Sequence, residues 1–148
     1  MRFLGLAAVV LAACGNDDAT AEFAGTWMYA ADAALIGACT SNNPIAVPLS
    51  GNVVVVTGGD ADLTTMMGTC TELYDVAGSR ATARSGPSCT LVQGDTTAVL
   101  TIESDVITIG SDPNVLTESA IAAVQFMGGS EDTCTAMGTW MLDKLFFP

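Results

Sequence analysis

The chain has 148 residues, of which 50% are hydrophobic and only 14% are charged, a composition that favours one folded domain over a disordered chain. Its 16 acidic and 4 basic residues give a net charge of −12, which argues against nucleic acid as a partner and is interpreted as serving solubility rather than cation recruitment. Because the sequence contains no histidine, Ser-His-Asp catalysis, Cys-His catalysis and histidine-ligated zinc are excluded within one chain.

The first 13 residues have the order of features that defines a secretory signal peptide. Arg2 supplies a minimal positive charge, residues 3–10 are apolar apart from one glycine, and two small residues follow at positions 12 and 13. The segment is too short to cross a bilayer as a helix. Residues 1–13 are therefore predicted to be a signal peptide. Two alternatives are a plain secretory signal that leaves Cys14 as an ordinary thiol and a buried first strand.

The last residues of this segment, Leu11-Ala12-Ala13-Cys14, have an aliphatic residue and two small residues before a cysteine. They resemble the lipobox of bacterial lipoproteins. The resemblance implies that Cys14 begins the mature protein and carries a diacylglyceryl group and an N-linked acyl chain such as palmitate. Several acyl chains would give a stable membrane anchor, whereas a single chain binds only marginally. Since Gly15 rather than aspartate follows the cysteine, the family analogy favours the outer membrane. The expected location is the cell envelope, with the domain facing the periplasm or the exterior.

The next stretch, residues 15–22, is small, polar and acidic and has no apolar periodicity. We expect Cys14 and this stretch, residues 14–22, to form a lipidated, flexible tether. Residues 23–148 are then a single β domain.

Four cysteines remain when Cys14 is set aside: Cys39, Cys70, Cys89 and Cys134. In an exported protein they predict two disulfides, and four cysteines allow three pairings. The flanking segments favour Cys39–Cys89 and Cys70–Cys134, because the first two lie beside loop-like stretches and the other two enter strand-like ones. A zinc site is disfavoured because no C-x-x-C pair is present, so no metal or other cofactor is expected.

The body of the chain alternates short β-branched or alternating runs with turn residues. The predicted strands cover residues 52–57, 62–67, 71–77, 80–84, 96–103, 106–109 and the closing run 133–147. Ser104-Asp105 is predicted to be the turn of a hairpin. Residues 115–127 fit either a helix or a long strand, and the all-β context favours the strand. The spacing predicts an all-β fold, an antiparallel meander that closes into a small barrel or packs as a sandwich.

The motif GTWM occurs at residues 25–28 and again at residues 138–141. One interpretation is coincidence in a β sequence of low diversity. The structural interpretation is that the first and last strands pair and that Trp27 and Trp140 plug one end of a barrel as floor aromatics. The motif around Trp27, preceded by Phe23, resembles the G-x-W start of lipocalin-like barrels, in which a basic residue covers the tryptophan; Lys144 is the candidate for that role. The chain as a whole also resembles small, cysteine-containing, β-rich envelope lipoproteins of uncharacterised activity.

No enzyme motif is present: the sequence lacks a G-x-S-x-G elbow, a P-loop and a G-x-G-x-x-G motif. Turn carboxylates are interpreted as ordinary turn residues rather than calcium ligands; they are Asp60, Asp62, Asp112, Glu131 and Asp132. Strand carboxylates are placed on the solvent face rather than in a glycosidase-type pair; they are Glu72, Asp75, Glu103 and Glu118. Several methionines are interpreted as core rather than the lining of a soft cavity; they are Met28, Met66, Met67, Met127 and Met141.

The predicted function is therefore a non-enzymatic, lipid-anchored surface or interaction protein with no catalytic residues. The alternative is a lipocalin-like carrier of a small apolar ligand, which would need an apolar cavity of roughly several hundred Å³. A carboxylate enzyme would need two acidic side chains that meet in a cleft.

Overall fold

The structure is a computed structural model that describes residues 17–58, 62–84, 86, 88–93, 96–127 and 133–147. The predicted signal peptide and Cys14 lie outside these residues. One short helix, α1 (Asp17–Phe23), precedes the strands of the described chain. The strands are β1 (Gly25–Tyr29), β2 (Ala34–Cys39), β3 (Pro44–Pro48), β4 (Val53–Thr57), β5 (Leu63–Met67), β6 (Cys70–Ala77), β7 (Arg80–Ala83), β8 (Ser88–Gln93), β9 (Thr96–Ile109), β10 (Val115–Phe126) and β11 (Cys134–Lys144).

The strands form a closed antiparallel barrel, so the all-β prediction is confirmed, and of its two architectures the barrel is the one observed. The ring runs β1-β4-β5-β6-β7-β9-β10-β11 and is closed by pairing between β1 and β11. The predicted pairing of the first and last GTWM strands is thereby confirmed, with Trp27 opposite Lys144. Closure removes the unpaired edges that the eight strands of the ring would expose as an open sheet.

Three strands, β9, β10 and β11, are longer than the rest and extend beyond the ring. Their extensions carry β8 on one side and the β2–β3 hairpin on the other. We call this the upper end of the barrel. The lower end is the one at which β1 begins and β11 ends.

The predicted hairpin turn at Ser104-Asp105 is wrong, because these residues lie inside the continuous strand β9. The register shifts there, since Ser104 faces Ile121 while Ile102 faces Ala122, which leaves Glu103 as the extra residue of a β-bulge. Serine and aspartate suit a turn, but both residues pair with β10, which keeps them extended. On its other side β9 pairs with β8 before these residues and with β7 after them. The bulge also reverses which residues of β9 face inward.

Residues 115–126 form the long strand β10, as the all-β context predicted. Its burial alternates, with Leu116, Glu118, Ala120, Ala122 and Val124 facing inward. The strand is paired along its length with β9 and β11, and this pairing overrides the helical spacing of its apolar residues.

Most of the predicted tether is helical in the structure, since residues 17–23 form α1. Phe23 is fully buried, and its carbonyl oxygen accepts a hydrogen bond of 2.9 Å from the indole Nε1 of Trp27. Ala19 also packs against the core. The tether prediction considered only polarity. Burial of Phe23 holds this stretch on the lower end of the barrel, and the high helix propensity of alanine favours its helical conformation.

The disulfides are Cys39–Cys134 and Cys70–Cys89, so four cysteines are paired but the favoured pairing was wrong. Cys39 and Cys134 lie directly opposite each other on the adjacent strands β2 and β11. The second bridge joins the start of β6 to β8 and so fastens the upper extension to the ring. Flanking loops predicted the wrong partners because strand register, which local sequence does not reveal, decides which cysteines meet.

Candidate functional site

A layer of polar side chains crosses the middle of the barrel interior. Its members come from six strands and face inward; they are Tyr29, Thr65, Glu72, Tyr74, Asp105, Glu118 and Trp140. Apolar side chains fill the barrel below this layer, and others fill it above. Because buried carboxyl groups are costly without partners, this layer is the candidate functional site.

Strand alternation and the bulge in β9 place the three carboxyl groups of the layer inside. Glu72 and Tyr74 lie two residues apart on β6 and therefore share a face. Glu118 lies between the buried Leu116 and Ala120 on β10. Asp105 turns inward because of the bulge.

The prediction that strand carboxylates face solvent is therefore wrong for two of the four. Glu118 is 5% exposed and Glu72 is half-buried. Asp75 and Glu103 are exposed, as predicted. Asp75 forms a surface ion pair with Arg84. Sequence reasoning missed Asp105, which is only 3% exposed, because it treated that residue as part of a turn.

The Tyr74 hydroxyl lies within hydrogen-bond distance of two acidic side chains. The Tyr74 hydroxyl oxygen lies 2.8 Å from Asp105 Oδ2 and 2.9 Å from Glu72 Oε2. A hydroxyl has one hydrogen to donate, so it can satisfy only one carboxylate. The second contact is a hydrogen bond only when the other carboxyl is protonated and donates to Tyr74. The two contacts can therefore both be hydrogen bonds only while at least one of these carboxyl groups is protonated.

Burial of this layer raises the pKa of every titratable group in it. Desolvation raises the pKa of Glu118 to about 7, and Glu72 adds to the effect. The pKa of Asp105 is raised well above its usual value by desolvation and by its two acidic neighbours, and desolvation also raises the pKa of Glu72. Tyr29 and Tyr74 have strongly raised pKa values for the same reasons, so both remain neutral hydroxyls. Tyr29 donates a 3.3 Å hydrogen bond to Glu118 Oε1.

Two buried atoms of the layer have no hydrogen-bond partner, Asp105 Oδ1 and the indole Nε1 of Trp140. The indole lies near enough to Glu118 to lower its pKa, without reaching hydrogen-bond geometry. A cavity of about 30 Å³ is lined by both Asp105 and Trp140. It is large enough for one water molecule, which could accept from the indole and donate to the carboxyl. Because the indole N–H of Trp140, a hydrogen-bond donor, faces this cavity, the cavity suits a water molecule better than a cation.

The carboxyl groups meet, but they do not meet in a cleft. The two cavities that touch them measure about 20 and 30 Å³, far below the several hundred Å³ of a typical ligand site. A sugar ring cannot reach the layer in this conformation. In the part of the chain that the structure describes, no group of three ligating side chains is arranged to hold a metal ion.

The turn carboxylates that the structure describes have structural partners. Asp62 Oδ2 accepts a 2.8 Å hydrogen bond from the backbone nitrogen of Val76. Asp112 Oδ1 accepts one of 2.9 Å from the nitrogen of Asn114, as expected for an Asx turn. The other three candidates, at positions 60, 131 and 132, lie outside the described residues.

The predicted floor aromatics occupy different heights in the barrel. Trp27 is fully buried at the lower end, and the Nζ atom of Lys144 lies 5.0 Å from the centre of its ring. Lys144 thus occupies the place that the lipocalin-like motif suggested. Trp140, 6% exposed, lies higher, with its ring centroid 6.0 Å from that of Tyr29.

The methionine interpretation is corrected by the structure. Four of the five candidates are 38–63% exposed; they are Met28, Met66, Met127 and Met141. Only Met67 packs against the core. The alternation of strands turns Met28, Met66 and Met141 outward, which composition alone could not indicate. Met127 lies just beyond the end of β10.

The upper end carries an apolar groove of about 210 Å³ between the edge strands β3 and β8. Val47, Leu91 and Phe126 contribute to its lining. A shallower and more open depression of about 390 Å³ lies on the outside of β9, β10 and β11.

Comparisons with protein-family models, curated proteins and solved structures find no match to this chain. Among the described residues, no helix has the length and apolar character needed to cross a membrane.

Proposed function

We propose that this protein is a lipid-anchored lipoprotein of the bacterial cell envelope that acts as a non-enzymatic surface or interaction protein. Its anchor is Cys14, and its domain faces the periplasm or the exterior, with the outer membrane favoured. Two features support this proposal. Residues 11–14 have the lipobox pattern, and the other four cysteines are used in two disulfides, as expected in an oxidising compartment.

The filled barrel interior is the observation that carries the non-enzymatic part of the proposal. The space around the carboxyl groups amounts to about 20 and 30 Å³, so neither a substrate nor an enclosed apolar ligand has room there. The polar layer instead contributes to the structure of the domain. What remains available for recognition is the outer surface.

The carrier alternative rests on the groove at the upper end. Its volume of about 210 Å³ and its apolar side chains suit a small apolar molecule. Native mass spectrometry of protein purified from its own host distinguishes the two. A stoichiometric adduct that a Leu91→Lys substitution abolishes would favour a carrier, whereas the mass of the acylated protein without any adduct favours an interaction protein.

A Cys14→Ser substitution tests the anchor. We expect the unsubstituted protein to partition into the membrane fraction of its host, because several acyl chains on one residue hold a protein firmly. The variant should lose most of this partition, because no acyl chain then holds it on the membrane. Gly15→Ser is the matched control and should stay with the membrane. Intact mass of the extracted protein should show an acylated, diacylglyceryl Cys14, and an unmodified Cys14 contradicts the proposal.

A further inference from the structure

Two adjacent phenylalanines follow β11 and face solvent. Phe146 is 73% exposed and Phe147 is 75% exposed, the highest values among the large hydrophobic side chains of the described residues. Single exposed apolar residues are common on protein surfaces, but two consecutive phenylalanines with such exposure are costly in water.

These phenylalanines leave the barrel beside the point where the chain enters it. Lys144 pairs with Trp27, and the backbone nitrogen of Leu145 donates a 2.8 Å hydrogen bond to the carbonyl oxygen of Thr26. Thr26 is the second residue of β1, which directly follows α1. The Phe146-Phe147 pair and α1 therefore lie at the same, lower end of the barrel.

The chain between Cys14 and the barrel is short. Two residues separate Cys14 from Asp17, so the three peptide steps between them span at most about 10 Å. The seven residues of α1 add about 10 Å as a helix. Acyl chains on Cys14 would therefore hold the lower end within about 20 Å of the bilayer. A pair of exposed aromatic side chains at that end can reach the boundary between headgroups and acyl chains.

We propose that Phe146 and Phe147 form a second membrane contact, which inserts into the lipid bilayer beside the acylated Cys14 and fixes the orientation of the barrel on the membrane. This inference rests on the proposed function. Phenylalanine is a favoured residue for the apolar face of interfacial anchors. Because the protein is acidic, with Asp143 next to Lys144 near this contact, its partner is a bilayer of mainly zwitterionic lipid.

Another exposed apolar group lies far from this end and provides a control. Ile36, Met137 and Ile121 are neighbours across β2, β11 and β10 on the outer face of the barrel. Met137 lies seven residues before Lys144 on β11, a distance of about 23 Å along the strand. A membrane contact at the lower end leaves Met137 in water.

Fluorescence quenching in vesicles tests the contact. Lipidated protein carrying Phe147→Trp is reconstituted into vesicles of phosphatidylcholine brominated on its acyl chains. The fluorescence of the introduced tryptophan is the difference between the variant and the unsubstituted protein. We expect this fluorescence to shift to the blue and to be quenched at least twofold by the brominated lipid. The Met137→Trp variant should be quenched by less than a tenth. Trp27 and Trp140 are buried in the protein, so their fluorescence is the same in both variants and cancels in the comparison.

The outcomes separate the two proposals. Protein that fails to float with the vesicles contradicts the lipid anchor. Protein that floats while Phe147→Trp and a second variant, Phe146→Trp, are quenched no more than Met137→Trp overturns the membrane contact alone. Near-ultraviolet circular dichroism that matches the unsubstituted protein shows that each variant is folded.

Discussion

Removing the Cys39–Cys134 bridge with a Cys39→Ala/Cys134→Ala double substitution is expected to lower the free energy of unfolding by about 4–5 kcal/mol. The bridge closes a segment of 95 residues, and the chain-entropy relation for a loop of that length gives about 4.7 kcal/mol. The loss is a large part of the total stability of a domain of this size. Urea-induced unfolding monitored by tryptophan fluorescence measures it.

The second disulfide supplies the matched comparison. Cys70–Cys89 closes only 19 residues, for which the same relation gives about 3.2 kcal/mol. The Cys70→Ala/Cys89→Ala variant should therefore be more stable than the first by about 1.5 kcal/mol. Equal losses, or a larger loss for the shorter loop, would show that residual structure or packing around the sulfur atoms outweighs chain entropy.

The sequence allowed the class of fold to be predicted because its signal is local. The runs at β4, β5 and β6 have β-branched or alternating residues between turn residues, and the structure contains strands there. The repeated GTWM motif also indicated the pairing that closes the barrel. Such features depend on a few neighbouring residues, so no knowledge of the tertiary structure is needed.

Disulfide pairing and the polar layer could not be predicted, because both depend on register. Cys39 meets Cys134 only because β2 pairs with β11 in one particular register. Asp105 enters the barrel only because one extra residue at Glu103 reverses the inward face of β9. A shift of one residue in a strand exchanges its two faces, and a single sequence carries little information about such shifts.

The sequence does indicate the inward position of Glu118, but the general preference of glutamate for water outweighs that indication in a prediction. Leu116, Ala120, Ala122 and Val124 alternate on β10, and Glu118 falls on the same face. General preference places glutamate in water, so the polar residue was assigned to the solvent face against its own alternation. An acidic residue in phase with an apolar face therefore indicates a buried carboxyl.

Stability of this protein is expected to fall as the pH rises from about 4.5 to about 7. The folded protein holds the proton of Glu118 up to a pKa of about 7, against an ordinary value of 4.5. A carboxyl whose pKa is raised by folding binds protons more tightly in the folded state, so its proton stabilises the fold at low pH. Ionisation above pH 7 leaves a buried charge, at a cost of about 3 kcal/mol from Glu118.

Replacing this group tests the argument, since a Glu118→Gln substitution removes the titration while keeping the shape of the side chain. The variant should be more stable than the unsubstituted protein by up to about 3 kcal/mol at pH 8. Near pH 4, where Glu118 is protonated in both folded and unfolded chains, the two should differ by less than about 1 kcal/mol. Unfolding in urea at pH 8 and at pH 4 measures the two differences in free energy of unfolding.

Glu103→Gln is the control for this test. Glu103 is an exposed glutamate at the bulge of β9, the strand that pairs with the β10 strand of Glu118. A surface substitution of this kind changes stability by less than about 0.5 kcal/mol, and the effect should show no comparable growth between pH 4 and pH 8. If Glu118→Gln instead destabilises the protein equally at both pH values, the carboxyl contributes through hydrogen bonds that glutamine cannot replace. The proton held in the barrel would then have no net effect on stability.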